Sequence, residues 1–376
     1  MKILQILPEL HSGGVERGTL ELARYLTENG HESVVVSNGG PMVSQLEDEG
    51  SHHIKLPVHK KHLISLKQVF TLRELFLKEA YDVIHLRSRM PAWLAFIACK
   101  LIPKASRPKI VTTFHGFYSI NRYSAIMAKG DHVICVSESV KKYVLKHFPD
   151  QIKGPLTVIH RGIDPDFFQY GFKPDSDWVN NWHETHKNLD KKFLVTLPGR
   201  ITSWKGHIDF VEIIKLLKGD GIPVHGLIIG DTHSSKSRYY SKILELVRNL
   251  ELEEDFTFLG HRRDVREVMA ISDLVVSCSK VPEAFGRVSL EALGIGKPIF
   301  AYAHGGVEEQ LNVLFPEGKI APNNKTSMRI KIREFYLASV KAKPLRNTKF
   351  TLEKTNSSVL KIYKKTLNEK YESKAN

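Results

Sequence analysis

The feature that most constrains this fold is an alternation met twice along the chain. Short unbroken apolar runs are separated by helical patterns. The first series covers residues 1 to about 160, with strand candidates Lys2–Leu7, Ser33–Ser37, His53–Leu56, Asp82–Leu86, Lys109–Phe114, His132–Val136 and Leu156–Ile159. Several are runs of Val and Ile without polar alternation, as expected of strands covered on both faces. Helical patterns fall between them at Glu16–Asn29, Leu63–Lys78 and Ser137–Phe148. Gly30 suits a helix stop, and Ser137 suits an N-cap. A second series, Phe193–Leu197, Val224–Ile229, Phe256–Leu259, Leu274–Ser277 and Ile299–Tyr302, follows a polar stretch at 170–190. The predicted fold is α/β: two Rossmann-like, doubly wound domains facing a cleft. The expected boundaries are 1–165 and 191–350, with an interdomain connection at 166–190. In the Lys-rich tail, 351–376, Val359, Ile362, Tyr363 and Leu367 recur at helical spacing. They predict an amphipathic helix that packs back on the first domain.

Composition narrows the class. A chain of 376 residues is long enough for two ordinary domains. No apolar run is long enough to span a bilayer. The N-terminal run Met1–Pro8 reads as a first buried strand rather than a signal segment. Three scattered cysteines, Cys99, Cys135 and Cys278, argue against a disulfide framework or a zinc site and for a cytoplasmic setting. The net charge of +14 suits an acidic partner, or simply a Lys-rich solvated surface. No zinc-finger spacing or RNP-like aromatic motif points to nucleic acid.

Candidate chemistry collects at predicted strand ends. Two acids, Glu283 and Glu291, lie in one strand–loop–helix unit, Pro282 to Pro298, with Gly286 placed to open the helix. A carboxylate accepts hydrogen bonds from vicinal hydroxyls, although such a pair serves equally as a cap or a salt bridge. Arg200 and Lys205 flank a tight loop after the first strand of the second series. A planar fork and a point charge there suit a diphosphate, or a solvated surface pair. Gly13 and Gly14 form the first βα turn, where backbone N–H groups face an anion at a helix start. The pattern is not GxGxxG, so dinucleotide redox chemistry is not indicated. His115 closes a buried strand, and a neutral imidazole there can meet a hydroxyl. The chain has 18 histidines, and most must be structural. Gly230-Asp231 and Phe258-Leu259-Gly260-His261 end two further strands.

The string Pro-Glu-Ala-Phe-Gly-Arg-Val-Ser-Leu-Glu-Ala-Leu-Gly-Ile-Gly-Lys-Pro, followed by Gly305-Gly306-Val-Glu308-Glu309, resembles the retaining, GT-B glycosyltransferases of family 4. Gly13-Gly14-Val-Glu-Arg, Phe114-His115-Gly116, Val136-Ser137-Glu138, His160-Arg161-Gly162-Ile163-Asp164, Gly199-Arg200 with Lys205-Gly206, and Phe258-Leu259-Gly260 fall in that family's order. The resemblance covers about residues 1–325. It implies a nucleotide-sugar donor, UDP-, GDP- or ADP-linked, bound mainly by the second domain. Arg200 and Lys205 would bind the diphosphate, Glu291 the ribose and Glu283 the donor sugar. Gly14 would approach the phosphates, and His115 would lie beside the sugar. Gly13, Gly260, Phe285, Gly286, Arg287 and Val288 are counted with the donor-binding residues. No metal or other cofactor is implied. Transfer with retention would rest on leaving-group stabilisation. After the paired glycines the family often has a proline and then a glutamate; here Glu309 takes the acid's place, with Glu308 where proline is usual.

The acceptor implied is a glycan or a lipid-linked glycan, in assembly of lipopolysaccharide core or another bacterial envelope polysaccharide. The basic amphipathic stretch Lys60–Arg73 suits a peripheral contact with an anionic inner membrane face, or an ordinary helix packed on its sheet. Arg87 and Arg89 end a strand and suit acceptor phosphates. A monomer or weak homodimer is expected. The rival readings are a sugar-nucleotide epimerase of the same fold, a non-catalytic nucleotide-sugar-binding subunit, and last a basic nucleic-acid-binding protein.

Overall fold

The structure, a computed structural model, describes residues 1–11, 13–60, 66–232 and 238–375, with residues 369–375 described by backbone alone. Ser12 of the first glycine turn, and residues 61–65 of the basic stretch with the expected helix start at Leu63, lie outside these.

The described residues form two compact units, Met1–Arg161 with Leu352–Asn376, and Gly162–Thr351. The first unit runs β1 (Lys2–Ile6), α1 (Gly14–Glu28), β2 (Glu32–Ser37), α2 (Val43–Asp48), β3 (His52–Lys55), α3 (Lys67–Glu79), β4 (Val83–Leu86), α4 (Arg89–Lys100), β5 (Lys109–Phe114), α5 (Arg122–Ala125), β6 (His132–Cys135), α6 (Glu138–His147) and β7 (Leu156–Val158). Its sheet is parallel, in the order β3-β2-β1-β4-β5-β6-β7. The unbroken apolar runs explain it. Ile3, Leu4, Ile6, Val34, Val35, Val36, Val83 and Ile84 are all buried, as strands between two helical layers require. Ser137 caps α6, its Oγ accepting from Val140 N at 3.1 Å.

The second unit runs α7 (Ser176–Thr185), β8 (Phe193–Pro198), α8 (His207–Gly219), β9 (Val224–Ile229), α9 (Arg238–Asn249), β10 (Phe256–Gly260), α10 (Val265–Ile271), β11 (Leu274–Ser277), α11 (Arg287–Gly294), β12 (Ile299–Tyr302), α12 (Gly306–Leu314), β13 (Lys319–Ile320) and α13 (Lys325–Leu337). Its sheet is parallel in the order β10-β9-β8-β11-β12-β13. Strand order reverses between β1 and β4 in one unit and between β8 and β11 in the other. Beyond the carboxyl ends at such switch points, open α/β sheets bind ligands.

The last helix, α14 (Leu352–Ala375), belongs to the first unit. Val359, Leu360, Ile362 and Tyr363 join Ile3, Val83, Val111 and Ile134 in one buried cluster. Tyr363 is fully buried, and its hydroxyl lies 2.6 Å from His85 Nδ1. His85 Nε2 meets Thr113 Oγ1 at 2.6 Å, so the tail helix is tied to the middle of the sheet.

Where a connection is expected at 166–190, the structure places part of the second unit's body. Asp175 caps α7 by accepting from Asp177 N at 2.8 Å. Trp178 and Trp182 stack at 5.4 Å, and Trp182 is buried with Leu194, Leu227 and Ile229. Phe168 is buried as well, and the Arg266 guanidinium sits 4.0 Å from the Phe167 ring centre. Among the described residues, no helix is long and apolar enough to cross a membrane. Cys99, Cys135 and Cys278 are buried and unpaired.

Candidate functional site

The second unit's switch point is built by close backbone approach. β8 is followed by Gly199, whose φ of +147° takes it into glycine's range. A Cβ on Gly230, at the end of β9, would lie 2.0 Å from the Gly199 carbonyl oxygen. Gly230 N in turn donates to Gly260 O at 2.9 Å, so three glycines link the ends of β8, β9 and β10. After Gly199 the chain makes a single turn through Ser203–Lys205 and enters α8 at Gly206, with φ +75°. A Cβ on Gly206 would lie 1.9 Å from the Cys278 carbonyl oxygen just past β11. That contact brings Lys205 beside the loop that carries Glu283.

There Lys205 Nζ meets Glu283 Oε1 at 2.7 Å, with both side chains only 14% exposed. Ser279 Oγ donates to the same oxygen at 2.5 Å. The Trp204 ring lies under the ammonium, 4.7 Å from Nζ to its centre. The Glu283 backbone is fixed too. Gly306 N donates to Glu283 O at 2.8 Å, and Glu283 bridges Gly305 in parallel register. His304 Nε2 donates to Ser279 O at 2.7 Å, pinning the start of the loop.

Gly286, at φ +84°, starts α11 as the sequence suggests. Gln310 on α12 donates its side-chain N–H to Phe285 O at 2.5 Å and to Gly286 O at 3.2 Å. Val307, which follows the paired glycines, packs on Gly286: a Cβ there would meet Val307 Cγ2 at 2.3 Å. Glu291 falls in the second turn of α11, is 8% exposed, and accepts from Arg287 Nε at 3.1 Å. Both acids are therefore in salt bridges, one alternative the sequence leaves open. Glu283's partner is itself the candidate phosphate-binding lysine. Phe285 is buried with its ring 6.0 Å from Phe350, so its side chain serves the core. Arg200 is exposed on the loop after β8, and Val288 is partly exposed on α11.

In the first unit, His115 follows β5, and its Nδ1 accepts from Arg161 Nη2 at 2.6 Å. Arg161 Nη1 also donates to the Gly14 carbonyl at the start of α1. Burial, then the charges of Arg161 and Arg87, hold the His115 pKa well below its usual range, so the ring is neutral. The Arg161 bond therefore leaves the ring proton on Nε2. Gly13, in extended backbone, precedes α1.

Sequence reasoning assigned no role to Ser279 or Gln310, and none to Arg161 beyond its place in a motif. Arg161 stood next to a recognisable Gly-Ile-Asp. Ser279 and Gln310 carry no local signal, because each acts on a distant backbone or side chain. Among the described residues, no group of three His, Cys, Asp or Glu side chains is placed to hold a metal ion.

Residues 12–167 match the model of Glycosyltransferase Family 4, and residues 179–349 that of Glycosyl transferases group 1. A crystallised glycosyltransferase from Rickettsia africae ESF-5 is 31% identical, with a TM-score of 0.83 over 97% of this chain and 98% of that one. N-acetyl-alpha-D-glucosaminyl L-malate synthase of Bacillus anthracis is 26% identical over 317 residues, 80% of this chain and 78% of that protein. UDP-Gal:alpha-D-GlcNAc-diphosphoundecaprenol alpha-1,3-galactosyltransferase of Escherichia coli is 25% identical over 316 residues, 78% of this chain and 77% of that protein.

Proposed function

The chain belongs to the family 4 (group 1) glycosyltransferases of the GT-B fold, and from that premise we propose that it transfers a sugar from a nucleotide-sugar donor with retention and without a metal ion. We assign the acceptor to a glycan or lipid-linked glycan of bacterial envelope polysaccharide assembly. The name of the Escherichia coli relative, which begins with UDP-Gal, supports a nucleotide-linked donor, and both that relative and the Bacillus anthracis one support a bacterial setting.

The observation that carries the reading is the Lys205–Glu283 pair at the β8/β11 switch point, 2.7 Å apart and largely shielded from water. Low exposure strengthens a fixed charge. In this reading Lys205 and Arg200 offset the charge that develops on the leaving diphosphate, helped by the amino end of α8. Glu283 accepts from sugar hydroxyls, and Glu291 from the ribose. His115, neutral with Nε2 protonated, donates to the sugar. The anomeric carbon loses its bond to the phosphate oxygen while the acceptor oxygen bonds on the same face, and the acceptor proton passes to the leaving phosphate.

The test is substitution. Lys205→Ala and Glu283→Ala should each lower turnover by about 100-fold or more while the protein stays folded. Folded variants that turn over like the wild type would remove the site assignment. Epimerised donor, in place of transfer to an added acceptor, would favour an epimerase instead.

A further inference from the structure

The first unit carries two guanidinium groups at its own switch point, and the donor reading uses neither of them for phosphate. Arg87 directly follows β4, with its N–H bonded to Ile6 O at 3.1 Å. Its side chain lies inward, and the residue is 6% exposed. Nη1 donates to Gln5 Oε1 at 2.9 Å, which is a neutral partner, and Gln5 is itself committed to Thr19 O at 3.1 Å. Nε is sealed from solvent and has no hydrogen-bond partner. The carboxylates of Glu16 and Glu21 reach Arg87 only through space, and burial pulls its pKa down to about 10, so it stays cationic at neutral pH. The second cation is Arg161, fixed by Gly14 O and His115 Nδ1.

Both converge on Gly18. A Cβ at that position would lie 3.2 Å from Arg161 Nη1 and 3.3 Å from Arg87 Nη2. Glycine inside a helix costs roughly 0.5–1 kcal/mol relative to alanine. Here its missing side chain leaves room for the two cations against the first turns of α1. His115 Nε2, the protonated ring nitrogen, is also sealed and without a partner. A buried cation such as Arg87, held by a neutral amide, is costly until an anion arrives.

We propose that this is an oxyanion subsite, and that the acceptor carries a phosphate or carboxylate seated over Gly18 between Arg87 and Arg161. The word acceptor rests on the transfer reading, which gives the donor diphosphate to Arg200 and Lys205 on the other unit.

The test is thermal unfolding of the full chain titrated with inorganic phosphate, against chloride at matched ionic strength. UDP-glucose, GDP-mannose and ADP-glucose are titrated separately and then together with phosphate. Phosphate should raise the midpoint saturably, and its shift should add to that of whichever nucleotide sugar binds. Gly18→Ala should weaken phosphate about tenfold or more, since its methyl group displaces the charge-assisted contacts. Arg87→Met should abolish the phosphate shift and melt no lower than the wild type, being relieved of a buried cation. If Arg87→Met fails to fold, Gly18→Ala decides alone. A rise matched by chloride, or an unchanged phosphate response in Gly18→Ala, overturns the subsite. Displacement of phosphate by the nucleotide sugar overturns its assignment to the acceptor. Absence of any nucleotide-sugar shift beside an intact phosphate response counts against the transfer reading and leaves the anion site standing.

Discussion

Lys205 and Glu283 are 78 positions apart in sequence, and they meet because Gly206 lets its turn press on the end of β11. The residue types at these positions are legible from the chain alone, since lysine and glutamate at strand ends suit phosphate and hydroxyl. Their direct pairing is not legible, because it depends on the carbonyl of Cys278 closing on a left-handed glycine. Gln310 shows the same limit. It sits fully buried on α12 and holds the carbonyls of Phe285 and Gly286. Gln310→Leu should cost about 1–3 kcal/mol, because those carbonyls lose their donor in a buried place. Chemical denaturation would check it, and an unchanged midpoint would show that the clamp is dispensable.

At the scale of elements, the strands were readable because parallel strands under two helical layers are nearly continuous apolar runs. The twelve strand candidates correspond to β1–β12 within about a residue or two at each end. β13, only Lys319–Ile320, has no run to detect. The helix α7 was hidden for another reason. Its buried stripe is carried by tryptophans among Asn, Asp and His, so the stretch reads as a polar loop until Trp182 is seen packed on β8 and β9. The closing helix α14 was visible from its spacing, and its role follows from Tyr363. Tyr363→Ala should cost about 3–5 kcal/mol by opening a cavity against the sheet. It would also strip His85 of its 2.6 Å partner. Urea unfolding of the variant checks this, and a loss below 1 kcal/mol would mean that α14 is only loosely held.

Across the whole molecule, buried histidines link stability to pH. Burial holds His85 and His115 well below the usual value, and holds His207 and His225 at about 4. The unfolded chain protonates each near pH 6.5, whereas the folded chain does not. Stability is therefore complete above about pH 6.5 and declines as pH falls toward 4, by up to about 1.4 kcal/mol per pH unit for each histidine. The melting midpoint should drop steadily from pH 7 to pH 5. A flat profile over that interval would show that these rings are protonated in the fold. The two-unit architecture was legible because the same alternation appears twice. The assignment of 166–190 to the second unit was not, since it rests on contacts made by Phe168 and Trp182.

The proposed chemistry is retaining, metal-independent sugar transfer at the Lys205–Glu283 pair. It is tested most directly by following a panel of nucleotide sugars by NMR, with oligosaccharide and lipid-linked acceptors and excess chelator. Release of nucleoside diphosphate should be matched by a new glycosidic bond of unchanged anomeric configuration. Inversion at the anomeric carbon, or transfer that stops when the chelator is added, would contradict it.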